Sequence, residues 1–263
     1  MKIPKVTTID LETFGIEPRP DYPPKPVGVS IKRWGKKARY FSFGHASANN
    51  ATEAEARDAV REVLASGAPV LFHNCKFDLD VIETHWGIAP PPWELVHDTT
   101  FMLFLDDPHA KSVALKPAAQ RLLGQAPDER DAVRDWLLEN QPLREQGIRI
   151  TNGAGKTAKH PWGRYIAFAP GNVVGPYANG DVDRTEGLFR HLYLSLAERG
   201  MLGAYDRERE LAPVFLDMER RGVRVDTERL VADVARYRAI LERCEAWVRK
   251  RLRVVDPAWN LSS

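Results

Sequence analysis

Apolar positions near the N-terminus fall into three short β-prone runs, Lys5 to Leu11, Val27 to Arg33 and Ala38 to Phe43. A Pro-rich segment from Pro18 to Pro26 parts the first two as a loop. The period then lengthens. Thr52 with Glu55 three positions on has the pattern of a capping box, which opens a helix ending near Gly67. Pro69-Val70-Leu71-Phe72 reads as a buried strand; helical patterning resumes at Lys76 and stops at Gly87, ahead of Pro90-Pro91-Pro92. From Asp98 to about Asn140 the pattern predicts mostly helix, interrupted near Gly124.

Strands first and helices afterwards predict an α/β layer fold, a mixed central sheet with helices packed on it. Gln141 to Gly175 lacks clean periodicity and is rich in Gly and Pro, as in a functional loop, an insertion or a poorly ordered stretch. Further helices are predicted from Tyr177 to about Arg199, from Asp206 to Arg221 and from Thr227 to about Leu252. Gly222 to Asp226 forms a short extended turn before the last of these. The final helix carries Leu230, Val234, Tyr237, Leu241, Cys244 and Val248 at alternating spacings of four and three, a seam that requires a packing partner.

Composition adds bounds. The 263 residues suffice for one large α/β domain, or one domain with an appendage. A net charge of +2 means that nucleic acid would have to be met by a local basic face. Cys75 and Cys244 supply neither a disulfide framework nor a zinc ligand set. With no apolar signal core and no stretch of membrane-span length, the expected compartment is the cytoplasm.

The chemistry-bearing residues are acids. Asp10 and Glu12 flank Leu11 on a strand, so both side chains point the same way, roughly 6 to 7 Å apart at Cα. Two carboxylates on one face repel unless a cation sits between them. The plain alternative is a solvated strand end. Asp78, in His73-Asn74-Cys75-Lys76-Phe77-Asp78, falls in the first turn of a helix after a buried strand, where the dipole alone would also favour an acid. Asp80 shares that alternative and has no motif behind it. In Tyr177-Ala178-Asn179-Gly180-Asp181 a spacing of four places phenol and carboxylate on one helix face, or else a packed Tyr beside a capping Asp.

Together, Asp10 with Glu12, Asn74 through Asp78, and Tyr177 with Asp181 resemble in order and context the DEDD-type 3′→5′ exonucleases. More narrowly, the chain resembles the proofreading exonuclease domain of family A DNA polymerases, the DNA polymerase I type and its phage relatives. Position 176 is Pro where one branch has His; Tyr177 matches the tyrosine branch. The stretch from about Leu143 to Val174 matches poorly. The resemblance implies a ribonuclease H-like fold over residues 1–203. It also implies that 204–263 form a helical, thumb-like start of a polymerase domain, with Glu210 to Asp226 and Trp259 to Ser263 resembling that region. The palm and fingers would follow where the chain stops, so it is expected not to polymerise DNA, whether a cut fragment or a separate polypeptide.

The resemblance further implies two divalent ions, Mg²⁺ with Mn²⁺ able to substitute. Asp10 would bridge both, Glu12 and Asp181 would complete the site of the ion holding the attacking water, and Asp78 would hold the second ion largely through water. Mg²⁺ suits a few carboxylates plus phosphate and water, and two ions would stabilise the attacking and leaving oxygens of an in-line displacement. Tyr177 would orient the water, its ordinary pKa near 10 suiting it to positioning. Asn74 is read as a substrate or supporting contact and Phe77 as packing within the motif. Phe14 either wedges against the terminal base or packs in the core. Asp98 either supports the site from behind or caps a helix.

Gly153-Ala154-Gly155-Lys156-Thr157 lacks the first Gly of a phosphate loop, Ile150 standing there, and no strand leads into it. Around it Arg144, Arg149, Lys156, Lys159, His160 and Arg164 against Glu145 offer a backbone contact for DNA, or a solvated loop. Trp162 and Tyr165 either stack on bases or anchor that loop. The expected function is Mg²⁺-dependent removal of 3′-terminal nucleotides from single-stranded DNA or frayed duplex ends, releasing nucleoside monophosphates. A polymerase module, or the rest of the same polymerase, is the expected partner, and no membrane. The rivals are an RNA-trimming exonuclease with the same carboxylates and a catalytically silent DNA-binding or scaffold domain.

Overall fold

The computed structural model describes residues 2–126, 128–153 and 160–253. Five strands form one mixed sheet: β1 (Thr7–Thr13), β2 (Pro26–Arg33), β3 (Arg39–Ser42), β4 (Val70–Phe72) and β5 (Val96–Asp98), in the order β3-β2-β1-β4-β5. The first three pair antiparallel, and β4 and β5 add on parallel to β1. The α/β architecture expected from the sequence is the one observed.

Alternation along the strands sorts the two faces. Ile9, Leu11, Val29, Ile31 and Phe41 point to one side and pack with Val60, Val63 and Ile82. These come from α1 (Glu53–Ala65) and α2 (Cys75–Trp86). The start of α1 carries both halves of the capping box at Thr52 and Glu55. The register Asp10↔Ser30↔Tyr40 and Glu12↔Gly28↔Ser42 puts a polar row on the other face. Helix α6 (Gly171–Glu198) covers that face, reaching β1, β2, β3 and β4.

Between them lie α3 (Thr99–Asp106), α4 (Leu115–Leu123) and α5 (Asp128–Asn140). The helical run expected from Asp98 is therefore broken earlier than Gly124, across residues 107–114. Pro108 disfavours helix at the residue before it, and Asp107 turns extended there. The expected loop from Gln141 to Gly175 contains short helical turns at Arg144–Gln146 and Trp162–Phe168. Trp162 and Tyr165 are buried in a third cluster with Val133, Leu137 and Val174, so they anchor this segment. Lys156, Lys159 and most of the Gly153–Thr157 motif lie outside the described residues.

Helix α6 starts at Gly171, six positions before the expected start at Tyr177. Pro176 lies inside this helix, in its second turn, and forgoes the one intrahelical bond that its missing N–H would have made. Gly171 fits a tight approach, since a Cβ there would meet the Ser42 Oγ at 2.6 Å. Helix α7 (Leu202–Arg221) also begins earlier than expected, and α8 runs Thr227–Leu252 as expected. One compact unit extends to Asp217 and a second starts at Met218. On α8, Leu230, Tyr237 and Leu241 of the apolar seam are more than half exposed. Trp259 to Ser263 lie outside the described residues. No described helix is long and apolar enough to cross a membrane.

Candidate active site

Asp10 and Glu12 reach from β1 toward α6, which supplies Asp181. One oxygen from each of the three carboxylates lies within 4.8 Å of the others. The dock is fixed locally by Ser30, opposite Asp10 on β2, whose hydroxyl donates to the Asn179 Oδ1 at 2.8 Å. Asn179 and Asp181 alternate with Ala178 and Val182, both fully buried, so the apolar side of the helix sets the angle of its polar side.

Asp78 joins from the opposite edge of β1. Strand β4 pairs with β1 only at Thr7 and Thr8, so the backbone beyond opens toward α2. There the Leu11 amide donates to the Asp78 Oδ1 at 3.0 Å. Asp80 turns away to Arg19 at 2.9 Å and is outside the cluster.

The loop ahead of α2 is held from behind. Asn74 is exposed and left-handed, with φ 74° and ψ 58°, and its side chain makes no cap bond. Asp98 accepts instead from the amides of Asn74 at 3.1 Å and Cys75 at 2.7 Å, while also capping α3 through Thr100 at 2.7 Å. One side chain thus both caps α3 and holds the loop ahead of α2. The Tyr205 hydroxyl on α7 accepts from the Asp98 amide at 2.9 Å, tying that helix to the same junction.

Tyr177 lies one turn before Asp181, with the Trp162 ring edge-on at 6.4 Å between centroids. Phe14 is 39% exposed and meets Phe168 edge-on at 6.1 Å, so it is a surface aromatic rather than a core residue. Phe77 packs partly buried against the core beside Tyr22.

Clustering sets the electrostatics. Desolvation and the neighbouring Asp181 push the Asp10 carboxyl up to about 7, against a pull downward from Lys116. Burial, then Asp10 and Asp181, hold Glu12 well above the usual carboxylate range. Asp78 is raised by burial and by Asp10, and the Leu11 amide counters this in part. Three acids in that state, with Asp181 beside them, favour a cation. All-oxygen, carboxylate-only donors fit a hard divalent ion such as Mg²⁺ or Mn²⁺.

Three neighbours escape sequence reasoning. The Lys116 ammonium donates to the Asp181 Oδ2 at 2.5 Å, and Arg184 lies 3.5 Å from its Oδ1. Tyr40, in the row with Asp10, contacts the His45 Nε2 at 2.6 Å, and burial with Glu12 and Asp10 nearby raises its phenol well above 10. Only Lys116 carries a sequence signal, a cation in the first turn of a helix, where the dipole disfavours it.

A mixed sheet carrying a carboxylate cluster under one long helix is the ribonuclease H-like architecture of DEDD exonucleases. The chain belongs to the 3′-5′ exonuclease family, whose model matches residues 7–197. No curated protein is matched. Among solved structures, NrnC of Brucella melitensis superposes with a TM-score of 0.55 at 18% identity, over 83% of this chain and 86% of that one. It is also known with bound Mg²⁺ and bound to pGG. The POL domain of Pol1 from M. smegmatis, in complex with DNA primer-template and dNTP, gives a TM-score of 0.61 at 15% identity. That likeness covers 94% of this chain and 34% of the polymerase.

Proposed function

We propose that this exonuclease removes 3′-terminal nucleotides from DNA in the manner of a proofreading domain, using two Mg²⁺ ions and releasing nucleoside monophosphates. The observation that carries the reading is the convergence of Asp10, Glu12 and Asp181 within 4.8 Å, with Asp78 fixed on the far side of β1 by the Leu11 amide. Bound divalent ions would supply an activated water and charge neutralisation for the scissile phosphate.

The protein's own groups do the rest. Asp10, Glu12, Asp181 and Asp78 would hold the ions. Tyr177 orients the attacking water from the same helix as Asp181. Phe14, exposed beside β1, offers a ring to the terminal base, and Asn74 offers its exposed amide to the strand. Unpaired 3′ ends enter a confined site without the cost of unpairing, so they should be preferred.

The test is degradation of 5′-labelled single-stranded DNA with Mg²⁺, native chain against Asp10→Ala, with RNA of the same sequence alongside. A ladder shortening from the 3′ end, dependent on metal and lost in the variant, supports the reading. Faster loss of the RNA would overturn DNA as the substrate. A folded protein that binds DNA yet yields no ladder with Mg²⁺ or Mn²⁺ would support the silent-domain alternative.

A further inference from the structure

Lys116 is placed against two local rules. It is the second residue of α4, where the helix dipole opposes a positive charge. Its side chain is only 15% exposed, and a buried ammonium is costly without compensation. Compensation comes across 65 positions of sequence: Nζ donates to the Asp181 Oδ2 at 2.5 Å and lies 4.1 Å from the Tyr177 ring centroid. The lysine thus touches both residues that α6 contributes to the acidic site.

The other cation at Asp181 is of a different kind. Arg184 is buried, stands 3.5 Å from the Oδ1, and its guanidinium also donates to the Ala126 carbonyl at 2.9 Å, so it is fixed in the scaffold. Lys116 is a compact charge on a flexible four-carbon stem that can withdraw.

We propose that Lys116 is a resident counter-cation of the carboxylate site: its ammonium holds Asp181 and Tyr177 in place while the site is metal-free, and competes with a divalent ion for the Asp181 Oδ2. Loading of the site then requires the lysine to give that oxygen up. The inference rests on reading Asp181 as a metal ligand, and it assigns Lys116 a positioning role that none of the motif residues fills.

Two readings of Lys116 predict opposite signs. A purely structural lysine, once removed, leaves the site looser and metal binding weaker. A competing cation, once removed, leaves a more negative site that binds metal more tightly. The experiment is Mn²⁺ binding without nucleic acid, by calorimetry and by electron paramagnetic resonance, on the full chain and on Lys116→Met, Lys116→Gln and Asp181→Asn, with folding checked by circular dichroism. The expected result is Mn²⁺ affinity raised by about tenfold in the folded Lys116 variants, as follows from removing a unit charge a few ångströms away. Affinity unchanged or lowered in both, while Asp181→Asn loses Mn²⁺, overturns the role of Lys116 and leaves the metal site standing. Full Mn²⁺ binding by Asp181→Asn overturns the metal-ligand reading and the inference with it.

Discussion

The Asp98 carboxylate accepts from the Cys75 amide at 2.7 Å and so joins the end of β5 to the first turn of α2. Its other oxygen takes the amides of Asn74 and Thr100. Asp98→Ala would leave three amide donors without this acceptor, two of them in the loop that leads to Asp78. The expected loss is about 2–4 kcal/mol of stability and at least a tenfold drop in nuclease rate, about the share of a misplaced group. Asp98→Asn, which keeps one acceptor oxygen, should lose less. Urea unfolding with a parallel rate measurement checks both, and native stability in Asp98→Ala would refute the coupling.

Protons and a divalent ion would compete for the same carboxylates. The Asp10 carboxyl is raised from 3.8 to about 7, so between those values the folded protein keeps a proton that the unfolded chain has lost. Stability of the metal-free protein should therefore be full at the acidic end and fall as pH rises through about 7. Mg²⁺ would bind the ionised form and so should flatten that fall. Melting temperatures from pH 5 to 8, in chelator and in Mg²⁺, are the measurement; a metal-free protein that gains stability over this range contradicts the assignment.

Gly28 faces Glu12 across the β1–β2 ladder, and a Cβ on it would lie 2.0 Å from the Tyr40 hydroxyl. Tyr40 cannot easily retreat, because its hydroxyl is held by His45 at 2.6 Å. Gly28→Ala should destabilise by about 1–3 kcal/mol and should lower activity beyond that loss, since the strand bearing Glu12 must shift. Chemical denaturation and a rate assay on the folded fraction separate the two effects.

Tyr177→Phe keeps the ring over which Lys116 sits and removes only the hydroxyl. Turnover should fall about 10²-fold, the range for a group that positions or relays a proton, while Mn²⁺ affinity stays within a factor of two or so. A parallel loss of metal binding would show that the phenol supports the carboxylates instead of the water.

Legibility followed range. Local signals were readable: the capping box at Thr52 and Glu55, the Asp10 and Glu12 pair on one strand, and the spacing of Tyr177 and Asp181. The start of α6 was not, because Pro176 looks like a breaker unless the helix is known to begin one turn earlier. Tyr40, and the partner of the oddly placed Lys116, were not legible for another reason. Each becomes part of the site only through approaches across the fold, Lys116 over 65 positions and Tyr40 through strand register. Phe14 needed its exposure, which alternation alone does not supply.

The distance in sequence between β1 and α6 has a consequence for how the protein is made. Ser30 of the neighbouring β2 and Asn179, whose hydrogen bond helps hold α6 over the sheet, are 149 positions apart. On the ribosome the acids of β1 appear early and wait for the segment bearing Asp181, since contacts of that span close late. Until then the nascent chain lacks the third carboxylate of the cluster. The three-carboxylate cluster can close only once most of the domain has been synthesised.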